Sequence, residues 1–346
     1  MPIDLRKHRP DFEQFLKVLR RQGRPDHLPF YEHVASAGFM AERLGRPVAA
    51  MGWNKPGYGQ AYVDFWLGLG FDCVPMEIPL RIKLPEGHGA RTEGSEAFAV
   101  IRTMEDFEKF PWPKASDPLE LRYFEEVGRL LPDGARIVGG VACGPYEWVS
   151  MMMGVIGLSY ALADSPELVG RMFGKFRELH VAAVKLLAEM DCIGALRQGD
   201  DLGFKTATFL PPGLLREHVF PTYRAMAAAA HAAGKPFVLH SCGNLAEVYD
   251  DLVDCGVDAK HSFENAILPV AEFKRRWGRR MTPLGGMDVD LLCRAGLDEI
   301  RAEARRLVES CFADGHWAMG TGNSLPDYLP VGNYLAALEA AREAAG

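Results

Sequence analysis

The most constraining feature of this sequence is a repeated unit, in which a short β-prone run ends in polar or glycine residues and a helical pattern follows. Eight such runs occur, at Leu28–Glu32, Cys73–Glu77, Ile137–Cys143, Ala195–Asp200, Phe237–Cys242, Asp258–Ser262, Met281–Gly286 and Trp317–Thr321. The helical patterns between them include Val34–Leu44, Leu168–Met190, Leu214–Ala233, Leu245–Cys255, Val270–Trp277, Glu299–Phe312 and Gly332–Ala345. Strands that alternate with helices pair in parallel, and eight such units close into a barrel. We therefore predict an α/β fold of the (β/α)8 TIM-barrel class.

The whole chain, residues 1–346, is predicted to form one barrel domain. No low-complexity tract or flexible linker interrupts it, and single α/β barrels reach this length. A helical extension is expected before the first strand. An insertion is expected around residues 85–118, in extended or hairpin form, because proline and glycine interrupt any helix there.

Charge and cysteine usage narrow the class of protein. Lysine and arginine total 39 against 46 aspartates and glutamates, a net charge of −7, whereas nucleic-acid binders usually carry a basic excess. No window is apolar enough for a transmembrane helix, and the charged N-terminal stretch lacks the apolar core of a signal peptide. The seven cysteines show no disulfide-scaffold spacing. We expect a cytoplasmic protein that binds neither nucleic acid nor membrane.

The predicted strand ends carry many polar side chains, and barrel chemistry gathers at the carboxyl ends of the strands. In chain order these residues are Glu32, His33, Glu77, Cys143, Tyr146, Asp200, Asp201, His240, Cys242, His261, Glu264, Asp288, Thr321 and Asn323. Loop starts are often polar and aspartate often caps a helix, which accounts for any one of them. The same explanation is weaker for the whole set, so a functional site is predicted at this end of the barrel.

The sequence His240-Ser-Cys242-Gly243 is the sharpest local motif. Residues two apart on a strand project from the same face, so the imidazole and the thiol lie side by side. A neutral imidazole and a thiolate are ligands suited to zinc, and the metal would hold the cysteine deprotonated. The alternative is a small buried cysteine beside a hydrogen-bonded histidine.

Two further pairs of residues follow strands. Asp200 and Asp201 are adjacent and point to opposite faces, so one faces the site while the other caps a turn or pairs with Arg197. The site-facing aspartate could be a metal ligand, a general base or a substrate anchor. His261 and Glu264 need not share a face, and a hydrogen-bonding role behind a metal ligand is the alternative for both.

Seven segments together resemble the uroporphyrinogen decarboxylase superfamily, in particular its cobalamin-dependent methyltransferase branch. They are CGPYEW (143–148), DSPELVGRM (164–172), GDDLGF (199–204), KPFVLHSCGNL (235–245), GVDAKHSFEN (256–265), PLGGMDVDLL (283–292) and GTGNSLPDYLPVGNYLAALEAAR (320–342). The resemblance extends from about Asp26 to the C-terminus and implies a (β/α)8 barrel. Its start, Leu19-Arg-Arg-Gln-Gly-Arg-Pro25, resembles methyltransferase-like members and lacks the arginine-rich decarboxylase signature.

The resemblance also implies a zinc site, with one departure. His240 and Cys242 match the positions at which the methyltransferases bind zinc. The family's further cysteine ligand falls near Asn323, and no cysteine follows Cys311. With one thiolate fewer, zinc is a stronger Lewis acid, which suits a methyl ether or methylamine-type leaving group. Alternatively, an oxygen ligand such as Asp201 or Glu264 completes the site, or no metal binds.

The expected function is therefore zinc-assisted methyl transfer with a corrinoid protein, in which a small methylated substrate is demethylated or a thiol is methylated. The cobalamin is expected on a separate partner protein, and a homodimer agrees with the resemblance. The predicted site residues are the metal ligands His240 and Cys242, the catalytic residues Asp200, Asp201 and His261, and the substrate-binding residues Glu77, Tyr146, Glu264, Asp288 and Asn323.

Two other functions remain open from the sequence. A metal-independent decarboxylase or lyase of the uroporphyrinogen decarboxylase type would need arginines facing the pocket, and the available ones are Arg81, Arg91, Arg102 and Arg197. A protein that binds a corrinoid or small molecule without turnover is the third interpretation, although ionisable groups crowd the strand ends.

Overall fold

Parallel strands form the centre of the fold, and each pairs with the next one along the chain. The computed structural model describes residues 5–48, 52–84 and 99–346. Within them the ladder strands are Cys73–Pro79 (β1), Arg136–Ala142 (β2), Ile193–Gly199 (β3), Phe237–His240 (β4), Ala259–His261 (β5) and Thr282–Pro283 (β6). The register places Gly199 beside His240, and His240 beside His261, so the carboxyl ends of β3, β4 and β5 are level.

The first and eighth predicted runs continue the sheet through isolated parallel bridges. Leu284 bridges to Ala318, and Met319 bridges to Phe30. The Met319 amide donates to the carbonyl of Pro29 at 3.0 Å, but Pro29 has no N–H to extend a regular ladder. The predicted (β/α)8 TIM-barrel fold is confirmed, with these two strands shorter than the sequence pattern indicated.

Helices surround the strands. They are Phe12–Arg20 (α1), Ala37–Leu44 (α2), Tyr58–Leu67 (α3), Met104–Lys109 (α4), Arg122–Leu130 (α5), Pro145–Met153 (α6), Val155–Asp164 (α7), Pro166–Ala188 (α8), Pro212–Leu214 (α9), Phe220–Ala232 (α10), Tyr249–Asp254 (α11), Val270–Trp277 (α12), Val289–Arg294 (α13), Leu297–Cys311 (α14) and Val331–Ala345 (α15). None of the helices in the described ranges is long and apolar enough to cross a membrane.

The insertion differs from its prediction. Residues 85–98 lie outside the described ranges, but Met104–Lys109 form helix α4, so the expectation of extended or hairpin structure is wrong there. Thr103 accepts from the Asp106 amide and the Asp106 side chain accepts from the Thr103 amide, which is a capping box that stabilises even a short helix. The interrupting prolines, at 111 and 113, follow the helix and lie outside it.

Asp72 ties the start of β1 to both ends of the chain. Its fully buried carboxylate accepts from the Nε2 atoms of His8 at 2.7 Å and His27 at 2.8 Å. Arg342 of α15 lies 3.2 Å from His8 Nδ1 and can only donate, so the His8 proton is on Nε2, facing Asp72. The three groups lie close enough to bind a metal ion. This proton position instead favours a hydrogen-bonded cluster.

Replacing Asp72 with alanine is expected to lower the free energy of unfolding by about 3 kcal/mol at pH 7, because removing one partner leaves buried polar groups unpaired. Burial alone would raise the pKa of Asp72, but hydrogen bonds from His27 and His8 outweigh it and lower the pKa to about 2. The stabilisation is therefore present above the unfolded-state pKa near 4 and is lost as the pH falls towards 2.

Urea unfolding of wild type and variant between pH 7 and pH 3 measures this difference. Asp64→Ala, which removes an exposed ion pair with Arg46, is the control and is expected to change stability by less than about 1 kcal/mol. A loss at Asp72 no larger than at Asp64 would contradict the assigned role.

Candidate metal centre

Three potential metal ligands converge where β3 and β4 end. The Asp201 carboxylate, the His240 imidazole and the Cys242 thiol lie within 4.8 Å of one another. His240 Nε2 is 3.5 Å from Cys242 Sγ and 3.7 Å from Asp201 Oδ1, while the Cys242 amide donates to Asp201 Oδ1 at 2.8 Å. Nitrogen, sulfur and carboxylate oxygen are zinc ligands, and three protein ligands leave a fourth position open, as in catalytic sites. The donor set therefore fits zinc.

The Cys242 thiol is flanked by two hydrogen-bond donors. Asn323 Nδ2 donates to Sγ at 3.4 Å and Ser262 Oγ donates at 3.6 Å. Burial, followed by the Asp201 charge, raises the pKa of the thiol to about 12. The sulfur is therefore protonated near neutral pH unless a cation displaces the proton. Asn323 occupies the side of Cys242 at which the family resemblance predicts a further cysteine.

His240 is held on one ring face and at one ring nitrogen. Its ring stacks on that of His33, with centroids 3.6 Å apart and an interplanar angle of 11°. Its Nδ1 is 2.8 Å from His261 Nδ1, which leaves Nε2 facing Cys242 and Asp201. Burial, with His261 and Arg197 nearby, lowers the pKa of His240 well below its ordinary value, so the ring is neutral and able to bind a metal.

An enclosed ion pair supports the His33 ring from behind. Arg197 donates to the His33 carbonyl at 2.6 Å and to Glu77 Oε2 at 2.9 Å, and its guanidinium also contacts His33 Nδ1. Burial raises the pKa of Glu77 despite this partner. Glu77, predicted to bind substrate, therefore lies in the barrel interior with its carboxylate paired.

The structure separates the two adjacent aspartates, as strand alternation predicts. Asp200 is buried, and its carboxylate accepts from the amides of Tyr146 at 3.1 Å and Glu147 at 2.9 Å and from the Tyr223 hydroxyl at 2.8 Å. Burial raises its pKa to about 7. Asp200 thus binds the first turn of α6, and only Asp201 belongs to the metal-ligand group.

His261, the third predicted catalytic residue, is fully buried behind His240. Its Nε2 is 3.1 Å from the Thr321 carbonyl, and both ring nitrogens therefore face protein groups. Burial and the neighbouring Lys260 lower the pKa of His261 to about 3, so its ring is neutral. The geometry does not bring His261 to the surface on which a substrate would bind.

A cavity of about 390 Å³ adjoins the ligand group and brings together three of the predicted substrate-binding residues. Its lining includes Phe263, Glu264, Asp288, Asp290, Asn323 and Tyr328. Asn323 lines this cavity, and its side-chain amide donates to the Cys242 sulfur, so it connects the cavity to the ligand group. The Tyr146 ring lies elsewhere and stacks on the exposed Phe209, with centroids 5.8 Å apart.

No arginine is among the described residues that line this cavity. Arg81 pairs with Asp117 and Glu120, Arg197 is enclosed with Glu77, and Arg102 lines a separate cavity. Arg91 lies outside the described residues. Among the described lining residues the charged groups are carboxylates. The described lining of this cavity therefore lacks the arginines that the decarboxylase interpretation requires.

His33 and Arg197 are two residues of the site that the sequence patterns did not predict as site residues. His33 is among the polar residues at the predicted strand ends and Arg197 is a predicted aspartate partner, but the predicted site residues include neither. The signal for Arg197 was its position inside the strand run Ala195–Asp200, because a buried arginine requires partners. The signal for His33 was its place at the end of the first strand run, which the barrel puts opposite β4.

The fold and this ligand group define a (β/α)8 barrel protein with a candidate metal centre at its strand ends. The family model described as uroporphyrinogen decarboxylase (URO-D) matches residues 74–344, and the chain therefore belongs to this enzyme family. Among solved structures, a methyltransferase from Methanosarcina mazei is similar in fold, with a TM-score of 0.67, 18% sequence identity and coverage of 99% of this chain and 98% of that chain. A comparison with curated proteins gives no sequence match.

Proposed function

We propose that this protein is a zinc-assisted methyltransferase that works with a corrinoid protein. The observation that carries the proposal is the group of Asp201, His240 and Cys242 beside the cavity at the strand ends. The methyltransferase of similar fold supports the reaction class. The proposal includes a corrinoid carried by a separate protein, a cytoplasmic location and a homodimer.

The residues of the group have distinct roles in this proposal. Zinc, when bound, supplies Lewis-acid chemistry that polarises a methylated substrate or stabilises a thiolate. His240 Nε2, the Cys242 thiolate and an Asp201 carboxylate oxygen would hold the zinc, and the Cys242 proton would be released to solvent on binding. Asn323 and Ser262 donate to the Cys242 sulfur and so reduce the negative charge that it passes to the metal.

The cavity provides the substrate site in this proposal. Phe263 and Tyr328 give it apolar surface, while Glu264 and Asp288 give it acceptors that orient a polar substrate. Asn323 lines this cavity and donates to Cys242, so a substrate bound here would be near the ligand group. The cobalt chemistry belongs to the cofactor, and the chain supplies binding and orientation.

The test combines metal analysis with methyl-transfer assays. We expect the purified protein to bind zinc stoichiometrically and to transfer methyl groups from methylcobalamin to a thiol, or from methyl ethers or methylamines to cob(I)alamin. Chelation should abolish the transfer, and added zinc should restore it. Full activity without metal, or porphyrinogen decarboxylation instead of methyl transfer, would overturn the proposal.

A further inference from the structure

We propose that His261 is a positioning residue that fixes the tautomer of His240 and so directs the Nε2 lone pair of His240 towards Asp201 and Cys242. The inference rests on the proposed metal site. It concerns a hydrogen-bonded chain that runs from the Thr321 carbonyl through both histidine rings. Each link in this chain has a direction that follows from which atoms can donate.

The first link sets the His261 tautomer. His261 Nε2 is 3.1 Å from the Thr321 carbonyl oxygen, which can only accept, so Nε2 carries the proton. His261 is fully buried, and its two ring nitrogens face the Thr321 carbonyl and the His240 ring rather than a carboxylate, so the ring is neutral. A neutral imidazole has one N–H, so His261 Nδ1 is an acceptor.

The second hydrogen bond determines which nitrogen of His240 carries the proton. The Nδ1 atoms of the two rings are 2.8 Å apart, and because His261 Nδ1 accepts, His240 Nδ1 must donate. His240 Nε2 is then unprotonated, and it lies 3.5 Å from Cys242 Sγ and 3.7 Å from Asp201 Oδ1. In water a neutral histidine favours the opposite tautomer, with the proton on Nε2, so the protein reverses the intrinsic preference.

The chain begins at a rigidly held carbonyl. The Thr321 hydroxyl donates to Glu32 at 2.7 Å, and the Gly286 amide donates to the Thr321 carbonyl at 3.0 Å. Gly285 approaches so closely that an added Cβ would lie 2.1 Å from the Thr321 oxygen and 2.9 Å from the His261 ring. The acceptor that sets the tautomer is therefore fixed by packing from two sides.

Two variants of nearly equal shape separate this role from a purely structural one. In His261→Asn the side-chain oxygen can occupy the position of Nδ1 and still accept from His240, whereas in His261→Leu no acceptor remains. Both variants remove a similar part of the buried ring. His180→Leu is the control, because His180 is equally buried but bonds only to the carbonyls of Phe176 and Cys143.

The tautomer is read from ¹⁵N NMR of histidine-labelled, metal-free protein, with the His240 signals assigned by their loss in His240→Ala. We expect a protonated Nδ1 and an unprotonated Nε2 in wild type, His261→Asn and His180→Leu, and a shift towards protonated Nε2 in His261→Leu. Zinc affinity, measured by competition with a chelating dye, should fall about 10- to 100-fold in His261→Leu. It should be largely preserved in His261→Asn.

Several outcomes would overturn the inference. They are a protonated His240 Nε2 in wild type, equal tautomer populations in the leucine and asparagine variants, and equal zinc affinities in those two variants. These outcomes differ from a failure of the proposed function. A wild-type protein that binds no zinc would refute the proposed function, whereas the NMR spectrum of the metal-free protein would still decide the tautomer of His240.

Discussion

Serine in place of Cys242 is expected to weaken zinc binding by more than about 100-fold, beyond the 10- to 100-fold effect typical of residues that only support a metal ligand. Cys242 contributes the sulfur of the ligand group, and a neutral hydroxyl does not replace a thiolate in charge or softness. His240→Ala removes the nitrogen ligand and should have a comparable effect. Metal content after dialysis, together with methyl transfer from methylcobalamin, measures both losses.

Cys293→Ser is the matched control for this experiment. Cys293 lies in α13, is half-buried, and belongs to none of the described groups of potential metal ligands. We expect it to retain zinc and activity. If Cys242→Ser kept the zinc content of wild type, or lost it no more than Cys293→Ser, Cys242 would not be a ligand.

Local periodicity predicted the parts of the site that lie within one strand. His240 and Cys242 share a face because they are two residues apart, and Asp200 and Asp201 diverge because they are adjacent. The choice of which aspartate faces the metal group could not come from periodicity. It depends on the first turn of α6, whose backbone amides donate to the Asp200 carboxylate.

Local sequence patterns cannot predict contacts between strands that are distant in the sequence. The stacking of His33 on His240 joins residues more than 200 positions apart, and it exists only because the barrel closes. The partners of Arg197 depend on the same closure. The prolines and glycines around 85–118 predict extended or hairpin structure, whereas the capping box of Thr103 and Asp106 stabilises a helix within that segment.

The adjacent aspartates provide the second large expected effect, in which stability and metal binding respond to different residues. Asp200→Ala is expected to lower the free energy of unfolding by about 2 kcal/mol, because two backbone amides and the Tyr223 hydroxyl lose their acceptor. It should leave the zinc affinity of the folded protein within about threefold of wild type, since Asp200 lies outside the ligand group.

The Asp200 effect has a defined dependence on pH. Burial raises the pKa of this carboxyl to about 7 in the folded protein, above the value near 4 of an unfolded chain. Its favourable contribution is therefore fully present below about pH 4 and declines as the pH rises through 7. Urea unfolding of wild type and Asp200→Ala at pH 5, 6 and 8 should show a difference that shrinks as the pH rises.

Asp201→Ala is expected to do the reverse. The Asp201 side chain is 41% exposed, so water can replace it at the Cys242 amide, and the metal-free protein should lose less than about 1 kcal/mol of stability. Loss of the oxygen ligand should weaken zinc binding by at least about tenfold. Zinc competition and urea unfolding, measured on both variants, decide the assignment. If Asp200→Ala lost zinc and Asp201→Ala did not, Asp200 would be the metal ligand and Asp201 the structural residue.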